Sequence, residues 1–128
     1  MSHKIILDTD PGIDDAMAIF FAFQHPEIDV LGLTTVFGNV PVDMAAKNAI
    51  TLCALANKDI PVCKGVGMPW VGKESGYAHF VHGDDGFGNI NFPDAKGEID
   101  PSSSAQFIVD MARQYPGELT VVAIGLLV

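Results

Sequence analysis

Four aspartates fall within eight residues of this chain, in the segment Asp8-Thr9-Asp10-Pro11-Gly12-Ile13-Asp14-Asp15. Carboxylates gathered this densely repel one another. Two like charges about 4 Å apart cost roughly 4 kcal/mol at an effective dielectric of 20. A bound cation offsets that cost, and an all-oxygen donor set with no His or Cys nearby selects a hard ion, calcium or magnesium. The plainer alternative is that Asp14 or Asp15 caps a helix while the others are solvated. A carboxylate at a helix N-terminus gains on the order of 1 kcal/mol from the free N–H groups and the dipole, less than the repulsion costs.

The elements around these acids explain how they could meet. Lys4-Ile5-Ile6-Leu7 is a β-branched apolar run that reads as a buried strand, and Pro11-Gly12 is a turn signal. By the period-two rule Asp8 and Asp10 share one side of that strand. Asp10 falls at its carboxyl end, where open α/β sheets place ligands. The turn brings Asp14 and Asp15 to the start of the next helix. Ala16 to Phe23 is apolar on every face, which predicts a buried helix ended near His25-Pro26. A second strand is expected over Ile28 to Val36, a second helix from Met44 to Ala56 opened by Pro41 and Asp43, and a third strand over Ile60 to Cys63. Asp100-Pro101-Ser102 starts a third helix whose apolar face is Ala105, Ile108, Met111, Ala112 and Tyr115, stopped by Pro116-Gly117. Leu119 to Ile124 is the fourth strand.

Alternating strands and helices with continuously apolar strands predict the α/β class, an open, mostly parallel sheet flanked by helices on both faces, Rossmann-like. Between Lys64 and Glu98 lie eight glycines and two prolines without a period, the pattern of an active-site wall or lid. The sequence stops just after the fourth strand, which predicts a fold truncated there, with an unpaired edge and an uncovered apolar face.

Composition narrows the function. Sixteen acidic against seven basic side chains give a net charge of −9. No Lys/Arg stripe is present to follow a phosphate backbone, so nucleic acid is not an expected partner. Hydrophobic residues reach 48% with a mean hydropathy of +0.29, more than a small two-layer domain needs. Self-association through exposed apolar edges is therefore expected. The longest apolar stretch, Ala16 to Phe23, is too short to span a bilayer, so no membrane partner is expected. No signal-peptide pattern precedes the first strand, and Cys53 and Cys63 fit neither a zinc pattern nor a disulfide framework. Two free thiols in a reducing, cytoplasmic setting are expected.

Two other Asp-rich patterns were weighed against the first motif. An EF-hand loop does not fit, because Gly12 falls where a ligand belongs and no Glu closes the loop. Asp8-Thr9-Asp10 after a strand is similar to haloacid-dehalogenase-type phosphatases, with Asp8 as nucleophile and Asp10 as acid. In those enzymes a Thr or Ser normally follows soon after, where this chain has Ile13-Asp14-Asp15.

The segment Asp8 to Ala16 more closely resembles the signature of the inosine–uridine-preferring nucleoside hydrolases. Thr34-Thr35-Val36-Phe37-Gly38-Asn39, Val81-His82-Gly83-Asp84-Asp85-Gly86-Phe87-Gly88 and Val122-Ala123-Ile124-Gly125 agree in order and spacing. The resemblance implies that residues 1–128 are the N-terminal portion of a single nucleoside hydrolase domain, with the C-terminal portion absent. It implies hydrolysis of the N-glycosidic bond of ribonucleosides to ribose and free base. It further implies that Asp10, Asp15 and the backbone carbonyl of Val128 ligate Ca2+ and that Asp10 takes a proton from the attacking water. By the same resemblance Asp14 and Asn39 hold the ribose hydroxyls, and His82 lines the pocket near the base and could act as an acid. The family usually reads Gly-Pro-Leu-Thr where this chain has Gly125-Leu126-Leu127-Val128, a departure that bears on the Val128 assignment. The family's remaining calcium-binding Asp and its usual leaving-group His are not found in these residues. A non-catalytic remnant binding calcium or ribose is the alternative the resemblance leaves open. Trp70, Phe80 and Phe87 could stack on a base or pack as a lid, and His3, His25 and His79 carry no functional expectation.

Overall fold

The computed structural model describes residues 2–73 and 76–127. Strand β1 (His3–Thr9) leads into helix α1 (Ile13–Gln24), then β2 (Ile28–Thr35), α2 (Val42–Leu55), β3 (Val62–Lys64), the short α3 (His79–His82), α4 (Ser104–Gln114) and β4 (Leu119–Ala123). The strands form one sheet in the order β3-β2-β1-β4. Every pairing in it is parallel, as the alternating strand–helix pattern predicts. The first three strands advance in one direction, and the chain then returns to place β4 on the far side of β1. This reversal puts the topological switch point at the carboxyl ends of β1 and β4, where such sheets bind ligands.

Alternation along β1 divides the core. Ile5 and Leu7 join Ile19, Phe23, Leu33 and Leu52 beneath α1 and α2. Ile6 points to the opposite face and packs with Cys63 and Phe107 beneath α4. Helices therefore cover both faces of the sheet.

Three expectations need correction. Helix α1 is not buried all round: Ile19, Ala22 and Phe23 face the core, while Met17 is 71% and Phe21 65% exposed. Only one side of this helix has a sheet beneath it, so a uniformly apolar sequence still leaves an outer face open. Strand β3 begins at Val62, not Ile60: Pro61 has no N–H to give a ladder, and its carbonyl makes the first bond, accepting from Leu33 N–H. In α4 the buried anchor is Phe107, whereas Ala105 and Ala112 are exposed. Phe107 fits there because Gly32 opposite has no side chain: a Cβ on Gly32 would come within 2.6 Å of the ring. Phe37, Val40 and Phe87, from irregular segments, are also core residues.

The stretch expected to be irregular is so, apart from the single turn of α3. Strand β4 is the expected open edge, with Val121 and Ile124 partly exposed. Among the described residues no helix is long and apolar enough to cross a membrane.

Candidate functional site at the end of β1

Asp10 is the first residue after β1 and only 5% exposed. Its Oδ2 accepts the backbone N–H of Asn39 at 2.7 Å, and its carbonyl accepts from Asn39 Nδ2 at 3.2 Å. Asn39 thus clamps Asp10 from the loop after β2. Gly38 makes this clamp possible, because a Cβ there would overlap Asp10 Oδ2. On the other side Gly125, in the segment after β4, would bring a Cβ to 3.3 Å from Asp10 Oδ1. The N–H groups of Ile124 and Gly125 both donate to the carbonyl of Asp8, which ties that segment to β1.

Asp15 arrives from the first turn of α1 and is 4% exposed. Its Oδ2 accepts from Thr9 Oγ1 at 2.9 Å and from Asp10 N–H at 3.2 Å. Burial, together with the adjacent Asp10 carboxyl, pushes the Asp15 carboxyl up to about 7, with Thr9 pulling the other way. Asp10 and Asp15 are therefore two buried carboxyls side by side, and Asp15 resists taking its charge.

The other two aspartates of the segment lie differently. Asp8 Oδ1 accepts from Thr34 Oγ1, and burial raises its carboxyl above the usual range, with the Asp10 charge adding to the effect. Asp14 is largely exposed, and its Oδ1 lies 3.7 Å from His82 Nε2.

His82 is buried in the site wall, where its Nδ1 accepts the N–H of Ile13 at 3.1 Å. That bond satisfies one of the free amides at the start of α1. It also places the proton of the neutral ring on Nε2, facing Asp14. Gly12 lies so close that a Cβ would sit 2.7 Å from Nδ1. The expected residues Asp10, Asp14, Asp15, Asn39 and His82 thus surround one strand–turn–helix junction. Val128 falls outside the described residues.

The donor chemistry suits a hard ion in part. Two buried oxygen ligands with no sulfur or nitrogen donor between them match calcium, and they are two of the six to eight oxygens it takes. Among the described residues no group of three or more His, Cys, Asp or Glu side chains could hold a metal. Asp8 and Asp14 do not join the pair.

Sequence reading missed three partners. Thr9 and Thr34 orient Asp15 and Asp8, and Asn48 on α2 donates to the carbonyls of Pro11 and Asp85. The two threonines sat inside motifs already noticed, and an alternating polar residue next to an Asp was the available signal. Trp70 stands exposed over a separate hollow of about 490 Å³, floored by Asp8, Thr35 and Val36 and bounded by Ser104 and Ile108. Phe80 is exposed, and Phe87 is a core residue.

The comparisons with known proteins agree with this geometry. The sequence profile described as "Inosine-uridine preferring nucleoside hydrolase" matches residues 5–127. The chain is 52% identical over 124 residues to the probable uridine nucleosidase 2 of Arabidopsis thaliana, covering 95% of this chain and 38% of that protein. It is 39% identical over 128 residues to the inosine-uridine preferring nucleoside hydrolase of Leishmania major, covering 98% and 40%. A solved plant nucleoside hydrolase superposes with a TM-score of 0.92 at 42% identity, over 98% of this chain and 40% of that one. The chain thus spans about two fifths of the length of the relatives it matches. With the sheet order, the paired aspartates at its switch point and a profile that runs almost from end to end, the chain belongs to the inosine-uridine preferring nucleoside hydrolase family.

Proposed function

We propose that this chain supplies the ribose- and cation-binding part of a site that hydrolyses the N-glycosidic bond of ribonucleosides. The observation that carries the reading is the buried Asp10–Asp15 pair at the switch point of a chain of this family. Asp10 and Asp15 would hold Ca2+, which when bound orients a water and makes it more acidic. Asp10 accepts the proton of the attacking water. Its Oδ2 is engaged by Asn39 N–H, so Oδ1, the oxygen toward Gly125, is the one to take it.

Water oxygen bonds to the ribose anomeric carbon as the bond to the base nitrogen breaks; the bonding pair goes to that nitrogen, which takes a proton from solvent, and Asp10 returns the proton of the attacking water to solvent. Positive charge grows on the sugar in the transition state, and the acids at the end of β1 stabilise it. Exposed Asp14 and the Asn39 side chain receive the ribose hydroxyls. His82 forms the base-side wall. Acting as an acid would require a second proton on Nδ1 and the release of Ile13 N–H, so its first role is to hold Asp14 and the turn. The two buried free thiols accord with a reducing compartment, and we place the protein in the cytoplasm.

A second reading, binding of calcium or ribose without turnover, is favoured by one observation: only two carboxylates converge among the described residues. Reducing-sugar release from uridine and inosine, with calcium and with chelator, tests both. Calcium-dependent release that disappears in Asp10→Asn supports hydrolysis. Calcium-dependent stabilisation with no sugar release supports binding alone, and neither effect at millimolar calcium overturns both readings.

A further inference from the structure

We infer that Asn48 is a positioning residue that locks the two walls of the candidate site together. One wall is the Asp10–Asp15 turn, and the other is the glycine-rich loop that follows His82. Asn48 lies on α2, outside every motif of the site, and is 6% exposed. Its Nδ2 donates to the carbonyl of Pro11 at 3.1 Å and to the carbonyl of Asp85 at 2.9 Å. A single amide thereby uses both of its hydrogens on two chain segments far apart in sequence.

Each segment is organised around that contact. Pro11 follows Asp10 directly and lies four residues before Asp15. On the other wall, burial alone would raise the Asp85 carboxyl, yet the backbone N–H groups of Asn91, Phe87, Asn89 and Asp85 itself outweigh it and hold it below the usual range. Its Oδ1 accepts from Phe87 and Asn89, and its Oδ2 from Asn91. The Asp85 side chain therefore shapes its own loop while its carbonyl is fastened to Asn48. Gly86 shows how closely the loop passes: at φ +83° its Cβ would meet Asn48 Nδ2 at 2.9 Å and the Pro11 carbonyl at 3.0 Å. The second tie between the walls, Ile13 N–H to His82 Nδ1, is made at the other end of the same junction. Among the described residues, loss of Asn48 leaves the bond between Ile13 and His82 as the one hydrogen-bonded tie between the loop and the turn.

This role rests on the function proposed above for its effect on binding, but not for its effect on motion. The test compares the chain with Asn48→Asp, which keeps the volume and removes both donors, and with Asn48→Ala. Cys53→Ala, a core truncation on the same helix away from the turn, is the control for loss of stability. In amide hydrogen exchange, both Asn48 variants are expected to speed exchange of residues 10–14 and 82–91 together, by about tenfold. Cys53→Ala is expected to leave the ratio between those segments and the central strands unchanged. Calcium affinity, measured by calorimetry well below the melting temperature, is expected to weaken about tenfold in the Asn48 variants only. Exchange that rises only in α2, or an equal effect from Cys53→Ala, overturns the inference. Should the unaltered chain bind neither Ca2+ nor uridine, the proposed function fails, and the exchange comparison still decides the role of Asn48.

Discussion

At the level of single residues, the Asp10–Asp15 pair sets the response to pH and to cations. The carboxyl of Asp15 stands at about 7 in the fold against 3.8 for a free aspartate side chain. The folded state thus holds this proton more tightly than the unfolded chain. Its contribution is neutral below the unfolded value and is increasingly unfavourable as pH rises from about 4 to about 7. In chelator, the melting temperature is therefore expected to fall by several degrees between pH 5 and pH 7.5, and calcium is expected to restore it. Asp15→Asn should abolish both the fall and the restoration; a melting temperature that is flat with pH in the unaltered chain would contradict the burial of this charge. Gly38→Ala places a methyl group on Asp10 Oδ2 and is expected to weaken calcium binding at least tenfold, with the overall fold retained in circular dichroism. The aspartates were legible in the sequence because their crowding is local, four acids around one turn. The choice of Asp10 and Asp15 over Asp8 and Asp14 comes from the family resemblance and not from local chemistry, since their burial as a pair depends on Thr34 claiming Asp8 and on Asp14 facing outward past His82. Those partners lie 26 and 68 residues away along the chain.

At the level of elements, periodicity and turn residues located the strands and helices to within about three residues, the single turn of α3 excepted. Pro61, Pro116 and Gly117 punctuate the chain where backbone chemistry requires it. Which side of each element is covered was less legible, because that depends on neighbours contributed from elsewhere. Helix α4 is the clearest case. Its apolar stripe was read without Phe107, the residue that enters the notch over Gly32 and joins Ile6 and Cys63. Phe107→Ala empties that contact and is expected to destabilise the chain by roughly 3–5 kcal/mol, a large share of a small domain's stability. Urea unfolding measures it, and a loss below about 1 kcal/mol would show that α4 is held by its polar ties instead. Those ties are Ser104 Oγ to the carbonyls of Cys63 and Thr35. The same burial pushes the Cys63 and Cys53 thiols up to about 11. Alkylation of both at pH 8 is accordingly expected to be slow in the folded chain and to become fast in urea.

At the level of the whole molecule, apolar surface and net charge oppose each other. Ile13, Met17 and Phe21 lie at intervals of four along the outer side of α1, all exposed, and β4 offers an open strand edge on the same sheet. A helix stripe of this kind, if it meets a second copy, removes apolar area from water at about 25 cal/mol per Å². Two copies that each carry −9 also repel, and that repulsion is long-ranged only when salt is low, with a Debye length near 30 Å at 0.01 M and near 3 Å at 1 M. Burial of the stripe is insensitive to this screening. The two effects therefore predict the sign of the salt response: association is expected to strengthen as salt is raised, opposite to an assembly held by ion pairs. Sedimentation velocity at 20 mM and 500 mM salt, at one protein concentration, distinguishes them (both concentrations on the order set by those screening lengths). Met17→Glu with Phe21→Glu is expected to hold the chain monomeric at both concentrations without lowering the melting temperature, since neither side chain enters the core. Association that weakens with salt, or that survives the double substitution, would place the contact elsewhere on the surface and leave the outer face of α1 without a role in it.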